Sequence, residues 1–313
     1  MNNSALHNIE QIQNLLDGLK NQLQTPKVFN KPKDKALFSF EFFPTKTDDG
    51  QHKLLQTFDT LNSLNPQYFS VTYGAGGSTR ERTLKIVETL SKKSTTPIVP
   101  HMSCIGDSKK EIGELLDYYK SLGVNRVVAL RGDLPSGQVG YGELPFALDL
   151  VKYIREHSGE HFIIKVAAYP EMHPQAKSFK DDIKNLAEKY HAGANEAITQ
   201  FFYNVDSYLF LRDELAKLGI HQENFPIIAG IMPITKASNL IRFADSAGAD
   251  IPRYIRKQLA DYGDDTKSIR QFGFETVIKL CEKLIAEDVP SLHFYSMNTV
   301  SPNKELVEAL GLN

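Results

Sequence analysis

The first place where this chain can do chemistry is a glutamate set inside a run of aromatic residues. Glu41 interrupts Phe38-Ser-Phe-Glu-Phe-Phe-Pro. Strand alternation puts Ser39, Glu41 and Phe43 on one face and Phe38, Phe40 and Phe42 on the other. With the aromatics turned outward, the carboxylate points into the interior. Enclosure by aromatic residues raises a carboxyl pKa, so Glu41 is expected to serve as a proton donor near neutral pH. A buried glutamate paired with Arg or Lys for structure is the alternative.

Asp133 follows Arg131-Gly132 after the apolar run Val127–Leu130. Gly132 permits close backbone approach while Asp133 offers a fixed negative charge or acceptor; a plain Asp-Leu-Pro turn is the other reading. Gln200, in Ile-Thr-Gln-Phe-Phe-Tyr, is a neutral amide inside an apolar strand. It can donate and accept together, which suits a heteroaromatic ring with adjoining N–H and C=O groups, or it is a satisfied core glutamine. His101, His173 and His293 fall at or beside three strand ends. They can bind a metal together or hydrogen-bond a cofactor, and the absence of zincin or deaminase spacing around Glu41 and Asp133 favours the cofactor. Gly74-Ala-Gly-Gly-Ser-Thr lacks a P-loop lysine and is not GxGxxG, so it is a weak nucleotide signal. Thr72, just before it, sits on the strand and is the better candidate.

Eight short strand-like runs must position these residues, each turning from apolar to polar, Gly or Pro at its end. They begin at Phe38, Tyr68, Pro97, Arg126, Phe162, Ala197, Pro226 and Leu292. Most of these starts lie about 30 residues apart, enough for a strand, a crossover helix and two loops. The pattern predicts an α/β fold, a single (β/α)8 TIM barrel with its chemistry at the C-terminal strand ends. Leu54, Leu55, Phe58, Leu61 and Leu64 make one apolar helix face. Ile112, Leu115, Leu116 and Tyr119 make another, and Phe179, Ile183, Leu186 and Tyr190 a third. The wider gap before the last strand holds helical patterns near 236–246, 252–261 and 271–287, so extra helices are expected there. Residues 1–35 read as an N-terminal helical extension and 36–313 as the catalytic barrel, closed by a short helix at Asn303–Leu310.

The 313 residues carry 36 basic and 38 acidic side chains, and a net charge of −2 gives no pull toward nucleic acid or an anionic membrane. No apolar run approaches membrane-spanning length, and the start lacks the features of a secretory signal. Cys104 and Cys281 form neither a metal nor a disulfide pattern. A cytoplasmic protein is expected.

FEFFP at 40–44, SVTYGA at 70–75, PHMSC at 100–104 and ALRGDLP at 129–135 occur in order along the barrel. VAAYPEMHP at 166–174, GANEAITQFFYN at 193–204 and LHFYSMN at 292–298 follow them. Together they resemble the methylenetetrahydrofolate reductase family in its compact bacterial form. The resemblance implies an FAD enzyme that reduces 5,10-methylenetetrahydrofolate to 5-methyltetrahydrofolate with NADH or NADPH, supplying methyl groups for methionine synthesis. It implies a ping-pong cycle in which nicotinamide and folate use the same flavin face in turn. Glu41 is then the general acid, assisting N10 as the methylene bridge opens to an iminium. Asp133 lies near the flavin and folate ring, and Gln200 binds the pterin with Thr72 beside it. Cofactor contacts carried over on matching positions are Thr72, His101, Arg131, Gly132, Asp133, Phe146, Ala147, Tyr169 and His173. Lys177, Asp182, Asn185 and Lys189 match the ribose, pyrophosphate or adenine end. The family also implies a homo-oligomer, and the compact length implies no C-terminal regulatory domain.

The chain departs from the common bacterial pattern in three places. Ala237 stands where an aromatic stacks against folate or folded NADH. The loop Pro135–Pro145 is slightly longer, with Phe146 replacing a flavin-side tyrosine, and GAGGST replaces a more polar version. The competing readings are another folate or flavin barrel, such as a methyl-transfer enzyme, and a non-catalytic ligand-binding subunit. Cys104 and Cys281 offer no zinc–thiolate cluster for thiol activation, which argues against methyl transfer.

Overall fold

The computed structural model describes residues 36–73, 77–132 and 142–313, with backbone alone at 77–79. The helical extension expected over residues 1–35 lies outside the described residues. Eight strands pair in sequence order into one closed barrel. They are β1 (Leu37–Phe42), β2 (Phe69–Val71), β3 (Ile98–Ser103), β4 (Arg126–Leu130), β5 (Ile163–Ala168), β6 (Glu196–Thr199), β7 (Ile227–Ile231) and β8 (Ser291–Tyr295). Every pairing is parallel, and closure of β1 on β8 leaves no free sheet edge.

Crossover helices follow the first six strands: α1 (Asp48–Asn62), α2 (Gly77–Lys93), α3 (Lys109–Ser121), α4 (Ala147–Ser158), α5 (Phe179–His191) and α6 (Val205–Ala216). Their starts are written in the sequence. Ser108 and Glu111 form a reciprocal capping box on α3, and Thr47 and Ser178 cap α1 and α5 through their hydroxyls. The gap before β8 holds α7 (Ala237–Ala247), α8 (Arg253–Tyr262) and α9 (Thr266–Ala286), as the periodicity predicts. A terminal α10 (Asn303–Ala309) follows β8.

The pleat divides each strand between two cores. Outside the barrel, Phe42 stacks on Phe69 at 5.2 Å, and Phe58 of α1 tilts over Phe69 at 4.7 Å. Phe38, Phe40 and Phe42 are all buried on this outer side, as alternation requires. Inside, Tyr68, Val99, Val128, Ile198 and Ile228 form a separate apolar plug. That filled interior makes the barrel a packed core and gives the mouth above it a floor. Beside it Lys165 and Glu196, paired across β5 and β6, form a buried ion pair with the Lys165 ammonium 4.4 Å from the Tyr68 ring centroid.

Candidate active site

Register brings the reactive groups together. Glu41 sits opposite Ser70 of β2 and Tyr295 of β8, while Ser39, two residues earlier on the same face, sits opposite His293. The Ser39 hydroxyl lies 2.7 Å from His293 Nδ1, and Ser70 Oγ lies 3.2 Å from His293 Nε2. Ser70 donates to Glu41 Oε2 at 3.3 Å, and His293 Nε2 is 3.6 Å from the same oxygen. From the other side His101 Nε2 of β3 approaches Glu41 Oε2 to 3.2 Å, a charge contact not aligned as a hydrogen bond. His293 is fully buried beneath the carboxylate, whereas the Glu41 side chain keeps 17% of its surface open to the mouth.

This environment corrects one expectation. Burial alone pushes the Glu41 carboxyl upward, but His101 and then His293 outweigh it and hold the group down at about 2. Phe38, Phe40 and Phe42, which were to raise it, face outward. Histidines and serines line the inward face, so the carboxylate is ionised in the ligand-free protein. Burial lowers His293 from its ordinary value, against the pull of Glu41.

Above them opens a cavity of about 320 Å³ into which Glu41, His101, Tyr169, Gln200 and Tyr295 all face. Gln200 stands just past the end of β6, not within it, and its Oε1 accepts from the Phe201 amide at 3.0 Å. The side-chain amide nitrogen is thereby left as a donor. Tyr295 donates to the Thr199 carbonyl at 2.6 Å and so braces the wall between β8 and β6. Sequence reasoning missed Phe201, Met232, Phe243, Ser246 and Tyr295 as lining residues. The i, i+3 spacing of Phe243 and Ser246 on one helix was a readable signal, but only packing shows that this face looks into the mouth.

A second cluster adjoins at the ends of β4 and β5. Gly132 has φ +85, and a Cβ there would sit 1.9 Å from Ser103 Oγ, so glycine is required. Arg131 donates to Gln175 Oε1 at 2.6 Å, and the His173 amide donates to Asp182 at 2.8 Å. His173 Nδ1 accepts from the Gln175 amide at 3.0 Å, and its ring meets Tyr169 edge-on at 4.5 Å. Lys189 reaches inward from α5 and donates to the Ala167 carbonyl at 2.9 Å. Burial lowers its pKa to about 8. Lys177 and Asn185 lie on the exposed surface. Thr72 is half-buried just past β2, bonded through its backbone to Phe42 and Thr83. Ala147 opens α4, and Phe146 before it is 57% exposed. Asp133 lies outside the described residues, as do most of the loop 135–145 and the first three residues of GAGGST. Ala237 begins α7 and packs against the core.

Among the described residues no His, Cys, Asp and Glu group could hold a metal ion, and no helix is long and apolar enough to cross a membrane. Both cysteines are buried and free, with burial pushing the Cys104 thiol up to about 12.

A carboxylate held among histidines at the C-terminal mouth of a closed (β/α)8 barrel, above a packed plug, defines a barrel enzyme working on a ligand bound across the strand ends. The family model described as methylenetetrahydrofolate reductase matches residues 27–311. The chain belongs to that family of flavin-dependent oxidoreductases. It is 40% identical over 265 residues to the 5,10-methylenetetrahydrofolate reductase of Buchnera aphidicola from Schizaphis graminum, covering 85% of this chain and 88% of that one. It is 38% identical over 274 residues to the Escherichia coli K12 enzyme of the same name, covering 88% and 90%. Among solved structures, an uncharacterized protein from Clostridium thermocellum that binds two copies of 5-methyl-5,6,7,8-tetrahydrofolic acid superposes with a TM-score of 0.60. At 17% identity over 89% of this chain and 93% of that one, this likeness speaks for the fold.

Proposed function

We propose that the protein reduces 5,10-methylenetetrahydrofolate to 5-methyltetrahydrofolate with electrons from NADH or NADPH, using bound FAD, and so feeds methionine synthesis. The observation that carries this reading is the shared mouth. An ionisable carboxylate, Glu41, and a bifunctional amide, Gln200, line one cavity of a size that admits a flat heteroaromatic ring.

The second cluster fits a dinucleotide cofactor. Gly132 lets the chain turn tightly at the end of β4, and Lys189 holds a partly desolvated cation that an anionic group would satisfy. Among the described residues Lys189 has no carboxylate within ion-pair distance, so a diphosphate is a natural counter-ion. Arg131, His173 and Asp182 are braced beside it for polar contacts along the cofactor. FAD, when bound, supplies the two-electron chemistry that no side chain of this chain can perform.

The chain's own residues handle recognition and the proton. Gln200 meets the pterin edge, its free amide nitrogen donating to a ring acceptor. Glu41 delivers a proton toward N10 as the C–N10 bond of the methylene bridge breaks, leaving the carbon on N5 as an iminium. An electron-poor ring in the cavity strips the remaining water from Glu41 and pushes its pKa upward, the direction a donor requires. His101 and His293 hold the carboxylate in place from two sides until then. Asp133, next in the chain to Gly132, is the carboxylate we propose to stabilise the iminium cation.

Anaerobic stopped-flow spectroscopy of the FAD-loaded protein tests this. NADH or NADPH should bleach the flavin, and methylenetetrahydrofolate should restore it with methyltetrahydrofolate formed. Glu41→Gln should keep the bleaching and lose the folate-driven recovery by at least about a hundredfold. Recovery at the wild-type rate in that variant would remove Glu41 from the mechanism.

A further inference from the structure

The segment after β5 turns tightly between Tyr169 and His173. Met172 takes φ +72, and its amide donates to the Tyr169 carbonyl at 3.3 Å. A side chain of that size holds a left-handed backbone only where its surroundings fix it. One fixed point is Glu171, half-buried, whose Oε2 accepts from the Asp250 amide at 2.6 Å. The Ser207 hydroxyl, in the first turn of α6, bonds the same carboxylate. Burial raises the Glu171 carboxyl above its ordinary value; the Asp250 amide and Ser207 oppose that, and the Asp250 carboxylate adds to it. Two residues before Asp250, Gly248 has φ +69, and a Cβ there would lie 2.5 Å from Pro174 Cγ. The chain leaving α7 therefore rests on the β5 segment at two points. Tyr169, Glu171, Gln200, Phe201, Ala247 and Ala249 line the seam of about 10 Å³ between them, which has room for no more than a water and so is a joint.

We propose that Glu171 is a positioning residue for the substrate half of the site, tying the segments after β5, β6 and β7 into one cavity wall. The inference rests on the proposed reading of the site. Each tied segment presents lining residues to the cavity: Tyr169 after β5, Gln200 and Phe201 after β6, and Ala247 at the end of α7. Helix α7 needs such a tie. It buries two residues, Leu240 and Ala244, where α3 buries five, and no side chain caps its N-terminus. With so little apolar packing, a charge-assisted hydrogen bond just past its end carries a large share of what fixes it. Without that bond the α7 wall drifts from Gln200, and a ligand lodged against both loses contact. The cofactor side does not depend on the tie, because the His173 amide holds Asp182 and Arg131 holds Gln175.

Glu171→Ala removes the acceptor, whereas Glu171→Gln keeps an oxygen for the Asp250 amide. In FAD-loaded protein, calorimetric titration with folic acid, an unreactive pterin, reads binding on the substrate side, and flavin fluorescence reads FAD affinity. Glu171→Ala should weaken folic acid by about 3- to 10-fold. FAD affinity and the limiting rate of flavin reoxidation by methylenetetrahydrofolate should stay within about twofold of wild type. Glu171→Gln should match wild type in all three. Amide hydrogen exchange at Asp250 should speed up in the Ala variant and stay slow in the Gln variant. Wild-type folic acid affinity or unchanged exchange in Glu171→Ala overturns the inference alone. So does equal weakening of FAD and folic acid with a lowered melting temperature, and so does a Gln variant as weak as the Ala variant. A wild-type protein that neither binds folic acid nor passes electrons to methylenetetrahydrofolate sinks the reading of the site and the inference with it.

Discussion

At the scale of single residues, the site depends on who faces Glu41 and on where side chains are missing. Two histidines and a serine converge on one carboxylate oxygen, so its charge is set by neighbours from three other strands. Gly230 plays the complementary part. A Cβ there would lie 2.2 Å from the Thr199 carbonyl and 2.8 Å from the Tyr295 hydroxyl, the two ends of the bond that braces the cavity wall. Backbone and a fixed phenol cannot yield as a flexible side chain would. Gly230→Ala should therefore cost about 1–3 kcal/mol in urea denaturation and weaken pterin binding, since the wall itself must shift. An unchanged urea midpoint would mean that β7 relaxes freely at this point.

At the scale of elements, α5 shows how a helix delivers charge to a strand end. Its N-terminus is capped by Ser178, and Ile183 and Leu186 bury its inner face. One further turn carries Lys189 to the Ala167 carbonyl at the end of β5. Because its pKa is lowered to about 8 by burial, the group contributes stability above its ordinary value near 10.4, and that contribution is lost as pH falls through 8. At neutral pH it is therefore a charged group held at a cost, which an anionic ligand offsets. FAD affinity measured by fluorescence should fall between pH 8 and 10, by up to about tenfold per unit. Lys189→Gln should bind FAD more weakly and flatten that profile. A wild-type affinity independent of pH in this range would place the diphosphate elsewhere.

At the scale of the molecule, the barrel carries an ion pair in its own interior. Lys165 and Glu196 are both buried below the site, and burial lowers the Lys165 pKa against the pull of Glu196. Removing one charge strands the other. Lys165→Met should lose about 3–5 kcal/mol of unfolding free energy, while Lys165→Met with Glu196→Leu should recover most of it. Urea unfolding of the three proteins decides this. A double variant as unstable as the single one would show that the pair is needed for barrel closure beyond its charge balance.

The sequence determined the architecture, because strand and helix periods are local properties. The eight strands, the helices between them and the three helices before β8 follow from alternation, 3.6-residue spacing and capping residues such as Ser108 and Ser178. Strand ends also pointed to Glu41, His101 and Gln200, which do share one cavity, together with Tyr169, which the family resemblance added. Tertiary structure alone decided what surrounds them. The outward aromatics flanking Glu41 in sequence do not touch its charge, whereas His101 and His293, 60 and 252 residues away, lower it. Phe243 likewise lies on an amphipathic helix whose inward face has no meaning until the barrel closes beneath it. A pKa and a binding face are set by through-space neighbours, and barrel closure, not chain order, chooses those neighbours.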